Sequence, residues 1–205
     1  MQLSPQELRQ ALSPGPFVDF TVEYSGTSVG LRRLLNAQHP DFRMRDVELL
    51  IRFYAFQNFL NIYTGNLKAF LDLTCSQLNQ DWETKRAFIE HQAGEFEEAV
   101  KVIFTIFGPN ACRKSDGIVY ERRLNRAVFD VMVYFFARKE IREAALQHGP
   151  AIEREFRSIC GARGDFLKAV ESTTKSVSAT LTRLTIWGNA LSCIIGEPID
   201  IPLIG

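Results

Sequence analysis

Apolar residues recur three and four positions apart over most of the chain, which is the spacing of amphipathic helices. The longest segments with this spacing are 46–63, 81–107, 125–137 and 175–195, and a shorter one covers 139–147. Residues 17–24 instead show some alternation of apolar and polar residues, which predicts a short extended segment. The pattern as a whole predicts an all-α fold, an irregular bundle of about eight helices in one domain over 1–205.

Several helix ends carry recognisable signals. Ser4 and Glu7 have the spacing of a capping box, with Pro5 at the first helical position. Asp46 is the predicted N-cap of the helix over 46–63, and Gly196 stops the last helix. These signals place boundaries but do not say which helices pack together.

The two most apolar helices each contain charged residues. On the first, Arg45, Glu48 and Arg52 fall at i, i+3 and i+7 and share one stripe; on the second, Arg126 and Asp130 are four apart. Most of both helices must be buried, so an unpaired Arg52 would cost several kcal/mol. We predict that Glu48 neutralises Arg52 and Asp130 neutralises Arg126, fixing helix register. The alternative is that these residues contact a ligand or dock a partner domain.

Net charge limits the classes of partner. With 24 basic and 24 acidic residues in 205, the chain has no overall field that attracts nucleic acid. The local exception is the connection 113–126, which contains five basic residues but only two acidic ones, Asp116 and Glu121. Its candidate contacts with nucleic acid or a partner are Arg113, Lys114, Arg122 and Arg123, with Tyr120 among them. Solvated charge, or docking onto an acidic partner, is the competing interpretation.

Reactive chemistry has little support in the sequence. Three histidines lie about fifty residues apart and four cysteines tens of residues apart, which fits neither a metal site nor a disulfide scaffold. Cys75 and Cys193 lie in apolar helical patterns that suit core packing. The Gly26–Gly30 segment is interpreted as a helix cap in preference to an anion site. No catalytic, cofactor-binding or metal-binding residue is therefore assigned.

Cellular location is indicated only by absences. The first residues lack the layout of a signal peptide, and charged residues interrupt every apolar run before it reaches about 20 residues. These features predict a cytoplasmic protein without a membrane partner.

Four segments, in order along the chain, carry a family resemblance. They are QELRQALSPGPF at 6–17, RMRDVELLIRF at 43–53, YTG at 63–65 with FL at 70–71, and NRAVFD at 125–130. This succession resembles the GmrS-like family of ParB-related proteins, which belong to modification-dependent restriction and other antiphage systems. In that family an α/β domain with an Asp-Gly-Gln-Gln-Arg motif, linked to nucleotide binding and hydrolysis, precedes these segments.

The resemblance implies a role for this chain without catalysis. The chain lacks that motif, because Asp116-Gly117 continues as Ile-Val-Tyr, and it has no His-Asn-His nuclease cluster. We therefore expect this chain to be the helical module that follows the ParB-like domain. Its expected role is the association of domains or subunits, with DNA contact as a candidate second role. The implied partner is a ParB-like nucleotide-binding domain or subunit, or a second copy of the chain. A nucleic-acid-binding module using 113–126 and an uncharacterised enzyme are the alternatives.

Overall fold

Eleven α-helices and two single 3-10 turns make up the regular structure of the part of the chain that the computed structural model describes, residues 3–162, 164–171 and 174–204. Their bounds are α1 Pro5–Leu12, α2 Pro16–Thr27, α3 Val29–Leu35, α4 Arg45–Phe59, α5 Leu67–Gln80, α6 Trp82–Phe107, α7 Arg126–Phe136, α8 Lys139–Gln147, α9 Gly149–Ala162, α10 Gly164–Glu171 and α11 Val177–Ile195. The 3-10 turns are Leu60–Ile62 and Gly108–Asn110. Within these ranges no strand forms, so the all-α prediction is confirmed, although the number of helices exceeds the predicted eight.

The predicted extended segment at 17–24 is wrong, because these residues form most of α2. Pro16 occupies the first helical position, and Asn79 of α5 accepts hydrogen bonds from the backbone N–H of Phe17 at 3.0 Å and of Val18 at 3.3 Å. Gly15 permits this approach, since a Cβ there would lie 2.4 Å from the Asn79 side chain. These hydrogen bonds come from a residue 61 and 62 positions further along the chain, and a local pattern cannot reveal them.

The first and fourth helices begin in different ways. At α1 the predicted capping box is present: Glu7 N–H donates to Ser4 Oγ at 3.1 Å, and Ser4 N–H donates to Glu7 Oε2 at 2.5 Å. At α4 the predicted Asp46 cap is wrong, because the N-cap position belongs to Met44 in a left-handed conformation. Asp46 instead accepts a hydrogen bond from Asp41 N–H at 2.9 Å and ties down the preceding turn.

Helix α7 lies at the centre of the fold. Nearly all of its residues are buried, and it packs against α4, α6 and α11. Next to it, Trp187 of α11 lies edge-on to Phe156, with ring centroids 5.3 Å apart, and also contacts the rings of Phe107 and Phe136. The contact between α4 and α7 brings together the two apolar helices that carry charged residues.

The described helices give no sign of a membrane span. Across those residues, each helix is either too short or too polar to cross a lipid bilayer.

Candidate binding cleft

The charged residues of α4 and α7 pair across the two helices. Arg52 makes two hydrogen bonds to Asp130, from Nε to Oδ1 at 2.9 Å and from Nη2 to Oδ2. Arg126 Nε lies 3.2 Å from Oε1 of Glu48, so each arginine has its main partner on the other helix.

The prediction that each arginine pairs with a carboxylate on its own helix is therefore wrong. Arg52 reaches Glu48 only at 4.0 Å, and Arg126 and Asp130, both within the described ranges, form no ion pair. Adjacent packing of α4 and α7 lets the buried carboxylate meet the guanidinium of Arg52 through both oxygens, a better geometry than one helical turn offers. Arg45 belongs elsewhere: it pairs with Asp41 at 2.5 Å and lies outside the cleft.

A third arginine, Arg183 of α11, joins this cluster. Its side chain is 2% exposed, its Nη2 lies 3.7 Å from Asp130 Oδ2, and its Nη1 donates to the carbonyl of Thr174 at 2.8 Å. Its Nε is buried and has no hydrogen-bond partner among the described atoms. The sequence analysis missed this residue, although Arg183 is the only charged residue of α11, the same kind of signal that singled out Arg52.

Burial affects the two inner arginines differently. Burial lowers the pKa of Arg183, and the opposing attraction of Asp130 does not compensate for it. Burial also acts to lower the pKa of Arg52, but the charge and hydrogen bonds of Asp130 outweigh this effect and the pKa is raised. The single buried carboxylate thus neutralises Arg52 more completely than Arg183.

A cleft of about 650 Å³ opens over this cluster. The inner end holds Arg52 and Arg183, whose side chains are almost fully buried, while the side chains of Arg126 and Lys68 are 49% and 72% exposed. Its other lining residues are Pro5, Arg9, Glu48, Phe56, Tyr63, Leu67, Leu71, Leu124, Asn125, Ala127, Val170, Glu171, Thr174 and Lys175. The cleft therefore combines apolar walls with a cationic inner end, an arrangement suited to binding an anion that has an apolar portion.

The basic connection folds into a small hairpin held against α9. Ser115 and Tyr120 form an isolated antiparallel bridge, and Gly117 (φ +98°) lies so close to Gly161 that a Cβ at position 117 would be 3.0 Å from the Gly161 Cα. The Tyr120 hydroxyl donates to Glu153 at 2.9 Å, and its ring lies parallel to that of Phe156. One face of Tyr120 is therefore already covered.

The predicted contact residues of this connection have different environments. Lys114 forms ion pairs with Glu121 at 2.8 Å and with Glu171, and only 17% of its side chain is exposed. Arg113 is half-buried, and Arg122 and Arg123 are exposed. Arg122 and Arg123 are thus the most accessible of the four predicted contacts.

The segment around Gly26 supports the interpretation as a helix cap. Ser28 caps α3 by accepting a hydrogen bond from Leu31 N–H at 3.0 Å. Glu97 of α6 then accepts hydrogen bonds from the Ser28 hydroxyl and from Gly30 N–H, the latter at 2.9 Å. An internal carboxylate already occupies the position where an external anion would bind.

The cysteines divide into three buried thiols and one exposed thiol. Cys75, Cys112 and Cys160 are buried, whereas Cys193 is exposed, so its predicted core position is wrong. Burial raises the pKa of Cys75 to about 12 and that of Cys160 to about 11, which keeps both protonated and poorly nucleophilic at neutral pH. Among the described residues no group of three or more metal-ligating side chains has the geometry to hold an ion.

We expect a thiol reagent at neutral pH to modify one of the four cysteines of the native protein rapidly, and all four after unfolding. The time course of reaction with a chromogenic disulfide reagent gives the number of thiols that react rapidly. Cys193→Ser should remove the fast phase, whereas Cys75→Ser should leave it unchanged. Rapid reaction of two or more thiols in the native protein would contradict the described burial.

Comparison with known proteins returned no relatives. No protein-family model, no curated protein and no solved structure matches the chain. Functional inference therefore depends on the residues and geometry of the chain and on the resemblance described above.

Proposed function

We propose that this chain is the helical, non-catalytic module of a GmrS-like defence protein, and that it docks a ParB-like nucleotide-binding domain or subunit. One observation supports the proposal above others: the four segments that resemble the family all reach the same cleft. Binding, not catalysis, is the role that a cleft with paired and buried charges favours.

This convergence spans much of the sequence. Arg9 comes from the first segment, Glu48 and Arg52 from the second, Tyr63 from the third and Arg126 from the fourth, and all five line the cleft. Segments that resemble a family only because they form a core would have no reason to meet at one surface opening. Their meeting supports a shared binding site.

The adjoining surface has the composition of an interface. Leu8 and Leu12 of α1 are exposed, Leu12 to 78%, and Leu3 just before α1 is 54% exposed. Phe42 is 72% exposed, and its neighbour Arg43 lies 3.6 Å from Glu7 of α1, which places this ring close to α1. Apolar side chains grouped in this way mark protein-binding surfaces. In the resembled family the α/β domain precedes this helix in the sequence, so it would lie on the α1 side.

The proposal predicts association in solution. Mixing the chain with a separately produced ParB-like domain from a neighbouring reading frame should give a complex of the summed mass by size exclusion with light scattering. The double variant L12D/F42D should weaken this association about tenfold or more, because it places charge in the apolar interface. The matched control is L146D on α8, where Leu146 is similarly apolar and 45% exposed.

Two outcomes would contradict docking on this face. Either the chain and the ParB-like domain stay separate at high micromolar concentration, or L12D/F42D and L146D weaken the complex equally. A stable dimer of the chain alone, disrupted by L12D/F42D, would assign the surface to self-association instead.

A further inference from the structure

The cleft carries more positive charge than its carboxylates neutralise. Among the described residues, six basic side chains line the cleft, and four carboxylates lie within ion-pairing distance of them or line it themselves. These carboxylates are Glu48, Asp72, Asp130 and Glu171, of which Glu171 also pairs with Lys114. The excess of positive charge is therefore local, although the whole chain has a net charge of zero.

Arg183 contributes most clearly to this excess. Asp130, its nearest carboxylate, is hydrogen-bonded to Arg52 through both oxygens, so Arg183 meets it only at 3.7 Å. The Nη1 of Arg183 donates a hydrogen bond to the carbonyl of Thr174, and its Nε is buried without a partner among the described atoms. A buried cation that is only partly neutralised is costly, and an anion in the cleft would add the missing negative charge.

The remaining walls define the rest of the ligand. Leu67, Leu71 and Leu124 are among the apolar lining residues, together with Phe56 and Val170. A volume of about 650 Å³ lies within the range of small-molecule sites and exceeds what a bare inorganic ion fills. The cleft is thus suited to a molecule that has an anionic group at one end and an apolar or aromatic body.

We propose that this cleft binds a small organic phosphate, with the phosphoryl group held by Arg183, Arg52 and Arg126 and the organic part against the apolar wall. A phosphate monoester carries up to two negative charges and three acceptor oxygens, so it matches several guanidinium groups better than a carboxylate does. This site is a property of the isolated chain and does not depend on the docking of a ParB-like domain.

Calorimetric titration of the purified chain tests the ligand class. Phenyl phosphate and adenosine monophosphate should bind with one site per chain, more weakly as salt rises. Benzoate should bind about tenfold more weakly than phenyl phosphate, and phenol and adenosine should not bind measurably. Inorganic phosphate should bind more weakly than phenyl phosphate, because it lacks the organic part.

Substitutions within the cleft locate the site. R126Q should weaken phenyl phosphate binding about tenfold, and R183Q should abolish it. Because Arg183 is buried and R183Q risks misfolding, R126Q at the half-exposed mouth is the decisive variant, and circular dichroism checks that both keep their helices. K101Q is the matched control, since the Lys101 side chain is 70% exposed on α6 and outside the cleft.

The proposal is overturned if neither phosphate binds the natively folded chain at millimolar concentration, or if R126Q and K101Q bind phenyl phosphate equally well. Benzoate binding as tightly as phenyl phosphate would also overturn the assignment to phosphate. If no phosphate binds but the ParB-like domain does, and R126Q weakens that complex, the cleft is part of the protein interface and not a ligand site. The two proposals therefore fail separately.

Discussion

Replacing Asp130 with asparagine lowers the free energy of unfolding by about 3–5 kcal/mol, because it removes the nearest counter-charge of two buried guanidinium groups. Arg52 and Arg183 are both nearly fully buried, and Asp130 is the carboxylate that they share. Asparagine has nearly the same size, so the loss reports charge and not a cavity. Urea denaturation followed by circular dichroism at pH 7 measures it.

The control for this change is E90Q. Glu90 pairs with Arg86 on the surface of α6, where both side chains are largely exposed, so its loss should cost less than about 1 kcal/mol. A second substitution tests the cause: adding R183M to D130N should recover part of the lost stability, because it removes one of the two unpaired cations. A loss below about 1 kcal/mol for D130N, or simple additivity of D130N and R183M, would contradict a shared buried charge.

Replacing Trp187 with alanine lowers the free energy of unfolding by about 3–5 kcal/mol, because it empties the contact region of α9 and α11. The indole is fully buried and contacts the rings of Phe107, Phe136 and Phe156. Its Nε1 donates no hydrogen bond to any described atom. W187F should therefore cost much less, about 1.5 kcal/mol or under, since it keeps an aromatic ring and removes an unsatisfied polar group.

The same denaturation experiment separates the two substitutions. Trp82, the only other tryptophan, is also buried, at the start of α6, but it keeps 9% exposure and pairs with the ring of Phe20, whereas Trp187 is 0% exposed and contacts three rings. W82A is therefore the matched control and should destabilise less than W187A. Equal losses for W187F and W187A would contradict the expectation that an aromatic ring without the N–H fills most of this site.

Local chemistry made a large part of the fold predictable. The capping box of Ser4 and Glu7, the helix over 139–147 and the stop at Gly196 each depend on residues close in sequence, and all three are present. The extended prediction for 17–24 failed because the cap of α2 comes from Asn79, on a helix that the pattern cannot place in space.

The candidate site was predictable in its residues but not in its pairing. Burial of Arg52 follows from the apolar residues around it on α4, and the structure places it at 5% exposure. Its choice of Asp130 over Glu48 depends on how α4 and α7 pack, which local spacing does not determine. Arg183 joins the cluster for the same reason, since only tertiary packing brings α11 to Asp130.

The link between Arg52 and Asp130 also constrains how the protein is made. The two residues are 78 positions apart, and Arg183 lies later still. While the ribosome is synthesising the intervening helices, the guanidinium of Arg52 must stay in water, because the carboxylate that allows its burial has not yet emerged. Helix α4 therefore completes its packing only after α7 leaves the exit tunnel.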